Sequence, residues 1–372
     1  MCKLRRSLYG LKQSPRCFNE ALDSQLKKLG FKNTTADACI YSGVVDSSKV
    51  LLAVYVDDIL LASCSSHALK TTKQRIGTQF KTKDLGPASF FLGVSVRQDQ
   101  SGISMSQPAY IQTLLDKFGL GDCNTQRIPM TPDADLHKRA EGELAADESE
   151  FRSMIGSLMY LSTATRPDLS FAVHRLAQFS SDPSSAPLAA VKRIFRYLRA
   201  TKDFGIRFRA KDKSQLTGYV DADWAACLDT SRSTTGCLFL LAGGPVAWMS
   251  RRQRLVTKST AESEFIALSE ATAEVTWLRT LLAELGYPPT GPTAIWEDNA
   301  AAVSLANNPV GHQRTKHITV KLRFVQDGVE NGEIQVAHVS TQNQMADALT
   351  KPVPYPAMVN FRKGVGVEEI GI

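Results

Sequence analysis

Residues 215–339 alternate between strand-like and helical patterns, and this alternation restricts the possible folds more than any other feature of the sequence. Five apolar runs of strand length lie at residues 215–223, 234–241, 245–250, 293–298 and 333–339. A helical pattern over residues 260–285 separates the third run from the fourth, and Gly286 and Pro288 end it. Strands and helices that alternate in this way predict an α/β domain with a mixed sheet.

The rest of the chain shows weaker patterns. Residues 15–29 are amphipathic with helical spacing, and strand-like runs follow at 50–56, 59–63, 90–96 and 103–107. Residues 109–118 predict a short helix, and residues 149–162, 168–180 and 186–200 predict three more. The acidic, proline-containing stretch 129–150 between these two parts predicts an exposed linker.

The charge of the chain favours a polyanionic partner. The formal net charge is +7 and the isoelectric point is about 9.0, while 43% of the residues are hydrophobic. A basic globular protein of this composition suits nucleic acid, although charge alone does not assign that role. The most apolar run, residues 50–62, is too short to cross a bilayer and contains Asp57 and Asp58. We therefore expect no membrane segment.

Asp57 and Asp58 form the first candidate site, because they lie between two very apolar strand-like runs. A hairpin turn tolerates aspartate, which is the structural interpretation. However, Asp-Asp without glycine is a poor two-residue turn. Burying two carboxylates beside apolar strands would be costly without a cation. A divalent metal would remove that cost and would serve phosphoryl-transfer chemistry.

A second group of carboxylates lies in the α/β region. Asp221 and Asp223 share one side of a strand, although a single aspartate could simply end it. Ser259 and Glu262 fit a capping box at the start of the long helix. Glu264 falls on the apolar face of that helix, where a carboxylate must point toward the sheet and needs a partner.

Two further carboxylates complete this group. Asp298 and Asn299 lie where a strand runs into a helix, and either one could instead be an N-cap. Asp347 belongs to a short helix near the C-terminus. Each residue taken singly could be structural. Four carboxylates spread over two strands and two helices of one domain favour a metal site.

Several segments resemble the Pol polyprotein of copia-type long-terminal-repeat retrotransposons. YVDDILLAS (55–63) resembles the Tyr-x-Asp-Asp box of reverse transcriptases, and SLYGLKQSPRCFNEAL (7–22) resembles the motif that precedes it. GYVDADWA (218–225), KSTAESEF (258–265), EDNAAA (297–302) and NQMADALTKP (343–352) resemble the ribonuclease H pattern of the same elements. RSTTG (232–236) and RTKHI (314–318) match that pattern as well.

The resemblance implies a ribonuclease H that cleaves the RNA strand of RNA–DNA hybrids with two Mg²⁺ ions. The implied metal ligands are Asp221, Glu264, Asp298 and Asp347. His338 would assist product release; the alternative is a structural residue that ends a strand. The implied nucleic-acid contacts, which could otherwise be ordinary surface or capping residues, are Lys12, Gln13, Arg232, Lys258, Asn299, Arg314, Lys316 and His317. The chain departs from the family two residues after His317. It has Thr319 at this position, where the family usually has aspartate.

The resemblance also predicts that this chain lacks polymerase activity. Polymerase palms of this family use three carboxylates, and the third belongs to a strand expected before SLYGLKQ. Asp57 and Asp58 would then be a polymerase remnant without the fingers or the first catalytic aspartate. The absence of that third-carboxylate strand would leave a sheet edge unpaired, a site for aggregation or for pairing with another chain such as another Pol segment.

The expected fold class is α/β, with an α+β palm remnant, a helical connection, and a ribonuclease H-like mixed five-stranded sheet with flanking helices. The expected domains are reverse transcriptase (1–128), acidic linker (129–150), helical connection (151–210), ribonuclease H (211–355) and a C-terminal tail (356–372). Seven cysteines without a CxxC pair indicate an intracellular protein, which in this family is cytoplasmic, within a virus-like particle, or nuclear. The alternatives are a non-catalytic nucleic-acid-binding relic and a decayed chain without a folded function.

Overall fold

The computed structural model describes residues 8, 10–134, 136–212, 215–225, 227, 229–308 and 319–371. The chain forms two compact units, Met1–Ala88 with Thr276–Pro289, and Ser89–Val275 with Thr290–Ile372. The two units do not coincide with the predicted domains. The predicted domain boundaries stay predictions. None of the described helices combines the length and the apolar composition that crossing a bilayer requires.

The first unit is built on a four-stranded antiparallel sheet. Its strands lie in chain order as β1 (Lys32–Asn33), β2 (Ile40–Val45), β3 (Ser48–Tyr55) and β4 (Asp58–Ala62). Alternate residues of β3 are buried, as expected for a strand with one face on a core. The helices α1 (Ser14–Lys28) and α2 (Ser66–Gly77) contribute to that core through residues that include Leu22, Leu26 and Ile76.

The hairpin between β3 and β4 places the Asp-Asp pair at a tight turn. Tyr55 pairs with Asp58, so Val56 and Asp57 are the two turn residues. Val56 has a φ of 54°, which a β-branched residue rarely adopts. Asp57 and Asp58 are both exposed. The cost of burying two carboxylates, which favoured a metal site at this position, therefore does not arise.

The second unit contains an antiparallel sheet assembled from distant parts of the chain. Its spatial order is β14–β8–β7–β6–β5. The strands are β5 (Phe90–Phe91), β6 (Val94–Asp99), β7 (Gly102–Ser106), β8 (Phe204–Arg209) and β14 (Val367–Glu369). The residues expected to form a C-terminal tail thus supply an edge strand, and helix α10 (Tyr355–Gly364) precedes it.

Four helices surround one buried cluster of this unit. They are α3 (Pro108–Lys117), α4 (Glu148–Ala164), α5 (Ser170–Ala177) and α6 (Ser185–Ala200). Asp147 caps α4 by accepting a hydrogen bond from the Glu150 backbone N–H at 2.8 Å. Met130 and Leu136 of the predicted linker are also buried in this cluster. The linker therefore contributes side chains to the core.

A second five-stranded sheet in this unit confirms the expected mixed α/β fold. Its order is β11–β10–β9–β12–β13, formed by β9 (Thr217–Asp223), β10 (Thr234–Leu241), β11 (Gly244–Arg252), β12 (Thr293–Glu297) and β13 (Ile334–His338). The first three strands are antiparallel, whereas β12 runs parallel to β9 and β13. The helices that accompany these strands are α7 (Thr260–Glu284), α8 (Ala300–Asn307) and α9 (Thr319–Glu330). β9 is the central strand, and its C-terminal end carries Asp221 and Asp223.

Candidate metal centre

The central strand β9 brings Asp221 into the interior. Asp221 is only 4% exposed, and Asp223, on the same face, is partly buried. The Thr350 hydroxyl donates a short hydrogen bond to Asp221 Oδ2. An ionised carboxylate in such a buried position requires compensation by hydrogen bonds or by a cation.

The start of α7 positions Glu264. The Glu262 backbone N–H donates to Ser259 Oγ at 3.3 Å, and Glu262 Oε2 accepts from the Lys258 backbone N–H at 2.8 Å. This capping arrangement fixes where the helix begins, as the sequence predicts. Glu264, two residues further, is 4% exposed beside the fully buried Phe265. The helical spacing therefore places one glutamate at the surface as a cap and the other in the interior.

The junction between β12 and α8 positions Asp298. Asn299 Oδ1 accepts hydrogen bonds from the backbone N–H groups of Ala301 and Ala302 at 3.0 and 3.2 Å, so Asn299 is the N-cap of α8. Asp298 is thus free of the capping role. Its Oδ2 accepts a hydrogen bond of 2.8 Å from the hydroxyl of Thr341, which begins a short 3₁₀ helix, Thr341–Asn343, after β13.

These three carboxylates converge. Asp221, Glu264 and Asp298 each offer an oxygen, and the three oxygens lie within 4.8 Å of one another. Burial, together with the charges of Glu297, Asp221 and Asp298, raises the pKa of Glu264 to about 11. Burial also raises the pKa of Asp221 to about 7. Glu264 Oε2 is buried without a hydrogen-bond partner among the described residues. Such a cluster of hard oxygen donors fits a divalent cation.

Asp347 is not one of these three converging residues. It lies in a 3₁₀ helix, Met345–Leu349, which Gln344 anchors to β9 by donating to the Val220 carbonyl at 2.8 Å. The charge of Asp347 raises the pKa of Asp221, so the two carboxylates are close enough to interact. Asp347 Oδ1 is 2.8 Å from Lys351 Nζ. The fourth predicted carboxylate therefore lies beside the cluster and has a cation as its partner.

Glu297 is a buried carboxylate that the sequence reasoning missed. It is 0% exposed, its Oε1 accepts from the Asn299 backbone N–H at 2.9 Å, and its Oε2 has no partner among the described residues. Burial raises its pKa well above the ordinary value, and the charges of Asp221 and Asp298 add to this. The signal was present in the alternation of β12, where Thr293, Ile295 and Glu297 are the buried residues.

The other predicted site residues are dispersed. His338 is exposed at the end of β13, where it pairs in register with Glu297. Lys258 is exposed and Arg232 partly exposed, and both belong to the segments that flank the acidic cluster. Lys12 and Gln13 are exposed at the start of α1, in the unit that also contains Asp57 and Asp58. Arg314, Lys316 and His317 lie outside the described residues. Trp224 is 46% exposed directly after β9.

Comparison with known proteins identifies the relatives of the chain. The family model described as reverse transcriptase (RNA-dependent DNA polymerase) matches residues 1–132. The chain is 38% identical over its full length to the retrovirus-related Pol polyprotein from transposon RE1 of Arabidopsis thaliana, and covers 25% of that protein. It is 35% identical to the corresponding polyprotein from transposon TNT 1-94 of Nicotiana tabacum, with 95% of this chain and 27% of the tobacco protein covered. The chain thus spans about a quarter of the length of these polyproteins.

A shorter relative and several solved structures are also similar. A transposon Ty5-1 protein of Saccharomyces cerevisiae is 31% identical, with 73% of this chain and 89% of the yeast protein covered. The structure of LC11-RNase H1 is 16% identical and covers 37% of this chain and 92% of its own, with a TM-score of 0.29. A foamy viral protease-reverse transcriptase is 16% identical and covers 93% of this chain and 53% of its own, with a TM-score of 0.25. On the sequence matches, the chain belongs to the Pol polyproteins of copia-type retrotransposons.

Proposed function

We propose that this chain is a ribonuclease H that hydrolyses the RNA strand of RNA–DNA hybrids. The observation that carries the proposal is the convergence of oxygens from Asp221, Glu264 and Asp298 to within 4.8 Å of one another. Membership of the Pol family supports it, since the chain is 38% identical to a retrovirus-related Pol polyprotein and its residues 1–132 match a reverse transcriptase model. Nucleic acid is accordingly the proposed partner, and other segments of the polyprotein are further candidates.

The proposed cofactor is Mg²⁺, with two ions per site. Asp221, Glu264 and Asp298 would hold the first ion, and Asp221 together with Asp347 would supply the second position. When bound, Mg²⁺ would activate water and neutralise charge on the departing 3′ oxygen. The protein keeps these oxygens in place through Thr341, which donates to Asp298, and Thr350, which donates to Asp221. Hydrolysis would form a bond from water oxygen to phosphorus, break the P–O3′ bond and transfer a proton to the 3′ oxygen.

The proposed substrate contacts extend from the carboxylates to basic residues. The phosphates of the substrate would be bound by Arg232, Lys258, Arg314 and Lys316. Asn299 and His317 would contact the hybrid as well. An RNA strand differs from DNA in its 2′-hydroxyl, which a protein can contact across the shallow minor groove. His338 would assist the release of product, since it ends β13 opposite Glu297, the residue before Asp298. Its exposed position leaves the imidazole accessible.

Cleavage of a labelled hybrid tests the proposal. The purified full chain with Mg²⁺ should release RNA fragments that carry 5′-phosphate and 3′-hydroxyl ends. Asp221→Asn, Glu264→Gln and Asp298→Asn should each abolish release, whereas Asp327→Asn, at an exposed aspartate of α9, should not. Cleavage that survives in all three carboxylate variants would refute the proposal, because the activity would then come from elsewhere.

We further propose that the chain does not polymerise DNA by itself. Asp57 and Asp58 are exposed. The group of converging carboxylates found among the described residues includes neither of them. Two adjacent exposed aspartates do not make the multi-carboxylate site that aligned two-metal phosphoryl transfer needs. Primer extension on an RNA template should give no product, and extension that depends on Asp57 and Asp58 would contradict this.

One observation favours a second candidate function, a nucleic-acid-binding protein without catalysis. Asp347 is paired with Lys351 instead of joining the three converging carboxylates. A site that cannot recruit Asp347 would bind the hybrid and leave it intact. Hybrid binding without cleavage at any Mg²⁺ or Mn²⁺ concentration would support this candidate over the nuclease.

A further inference from the structure

Asp221 interacts with two groups of charged residues that differ in kind. The first group is Glu264 and Asp298, whose oxygens converge with one of Asp221, and the charges that act on Glu264 are those of the carboxylates Glu297, Asp221 and Asp298. The second group is Asp347 and Lys351, and both of these act on Asp221 as well. The first group therefore consists of carboxylates, whereas the second already contains a cation.

The Lys351 ammonium is the cation of that second group, Asp347 and Lys351. Its Nζ is 2.8 Å from Asp347 Oδ1. The ammonium therefore neutralises a carboxylate that the proposed second metal position would use.

The chain holds Lys351 close to this position. The Lys351 backbone N–H donates to the Asp347 carbonyl at 3.1 Å, and the preceding residue, Thr350, donates its hydroxyl to Asp221. The Lys351 side chain is nevertheless 40% exposed, so its flexible four-carbon stem can turn toward solvent without moving the backbone. Lys351 is therefore able to leave the carboxylates without unfolding the 3₁₀ helix that carries Asp347.

A divalent ion bound by Asp221 and Asp347 would need the oxygens that the ammonium now neutralises. Two cations a few ångströms apart in a partly buried site repel each other strongly. The ammonium and a second metal ion are therefore alternatives for the same carboxylates. Among the described residues, the charges that act on Glu264 are those of carboxylates, so the ammonium does not compete for this ligand of the first ion.

We propose that Lys351 is a built-in counter-ion of the second metal position, which a divalent ion occupies only by displacing the ammonium. This inference rests on the proposed function, whose metal site it subdivides. The two ions then bind unequally, the first tightly to Asp221, Glu264 and Asp298, and the second weakly because it competes with Lys351. Lys351 is a positioning residue, since it acts through Asp221 and Asp347.

Counting bound Mn²⁺ on the metal-stripped full chain tests this inference without any measurement of activity. Electron paramagnetic resonance of free Mn²⁺ should give one strong and one weak site in the unsubstituted protein. Lys351→Met keeps most of the stem and removes the charge, so the second ion should bind about tenfold tighter or more. Lys351→Arg keeps the charge and should leave the second site weak. Lys363→Met, at an exposed lysine of α10, is the matched control and should change nothing.

The outcomes separate this inference from the function on which it rests. An unchanged or weaker second site in Lys351→Met would overturn the inference while strong first-site binding and hybrid cleavage still supported the nuclease. Absence of strong Mn²⁺ binding in the unsubstituted protein, or strong binding that persists in Asp298→Asn, would remove both. If Lys351→Met does not fold by circular dichroism, Lys351→Gln takes its place with the same expected change.

Discussion

Gly236 on β10 lies directly opposite Asp221 on β9 in the antiparallel ladder. A Cβ atom at Gly236 would lie 2.7 Å from Thr350 Cγ2, 2.9 Å from Leu349 Cβ and 3.0 Å from the Ala346 carbonyl oxygen. The missing side chain thus leaves the space into which the 3₁₀ helix of Asp347 packs. One glycine on the sheet therefore determines how closely two of the predicted metal-binding carboxylates approach each other.

Gly236→Ala should destabilise the protein and weaken hybrid cleavage together. The added methyl group must displace the 3₁₀ helix, and overpacking of this kind costs about 1–3 kcal/mol. Urea unfolding measures the stability, and cleavage of the labelled hybrid measures the activity. Gly156→Ala, in α4 with no atom within 4 Å of the new Cβ, should be neutral or slightly stabilising. Equal behaviour of the two variants would show that the close packing at Gly236 is unimportant.

The metal-free protein should lose stability as the pH rises. Burial raises the pKa of Asp221 from 3.8 to about 7, so the folded protein binds this proton more tightly than the unfolded chain does. The resulting stabilisation is full below pH ~4 and is lost as the pH rises to about 7, and it amounts to about 4 kcal/mol at most.

Urea unfolding in EDTA at pH 5 and pH 8 measures this loss. Asp221→Asn should reduce the difference in the free energy of unfolding between pH 5 and pH 8. Mg²⁺ at pH 8 should restore stability to the unsubstituted protein by binding the folded state. The opposite slope, with greater stability at pH 8 in EDTA, would contradict the assignment of a raised pKa to Asp221.

The buried ion pair of Arg166 and Asp168 should dominate the stability of the helical part. Both side chains are fully buried, with Arg166 Nη2 at 2.7 Å from Asp168 Oδ2. The Tyr197 hydroxyl also donates to Asp168 at 2.6 Å, and Arg362 of α10 donates to that hydroxyl at 2.9 Å. Asp168→Asn would leave a buried guanidinium without its counter-charge, so we expect a loss of about 3–5 kcal/mol in urea unfolding.

The matched control for this pair is an ion pair at the surface. Asp182 lies 2.8 Å from Arg139, and both side chains are partly exposed. Asp182→Asn should therefore cost less than about 1 kcal/mol. Comparable losses in the free energy of unfolding for Asp168→Asn and Asp182→Asn would mean that burial does not determine how much an ion pair stabilises this protein.

Glu297 and Asp298 should respond differently to the same chemical change. Glu297 is buried with a raised pKa, and its Oε1 accepts the Asn299 N–H, which an amide oxygen can also do. Glu297→Gln should therefore keep hybrid cleavage within about tenfold and leave stability nearly unchanged. Asp298→Asn should lower cleavage by about 100-fold or more, because it removes a metal ligand. The reverse order of activities in a steady-state assay would transfer the ligand role to Glu297.

Local periodicity was enough to predict most of the regular structure. The predicted strands at 215–223 and 234–241 are β9 and β10, and the predicted helix at 260–285 is α7. Shorter or more polar elements were missed, among them β8 and the strand β14 that pairs with it across more than 150 residues of sequence. Such edge strands form only against a partner strand from a distant segment. The local sequence pattern does not predict that partner.

The sequence by itself also determined that Glu264 faces the interior of the α/β domain that carries Asp221 and Asp298. Strand alternation and the helical repeat fix which face a side chain occupies, and the capping box at Ser259 fixes the phase of that repeat. Only the tertiary structure decided that Asp347 pairs with Lys351, that Glu297 is buried beside Asp298, and that Asp57 and Asp58 are exposed. The first two relationships depend on how separate elements pack, and the third depends on where a turn directs its side chains. Packing, and not spacing along the chain, sets the distances between residues across a fold.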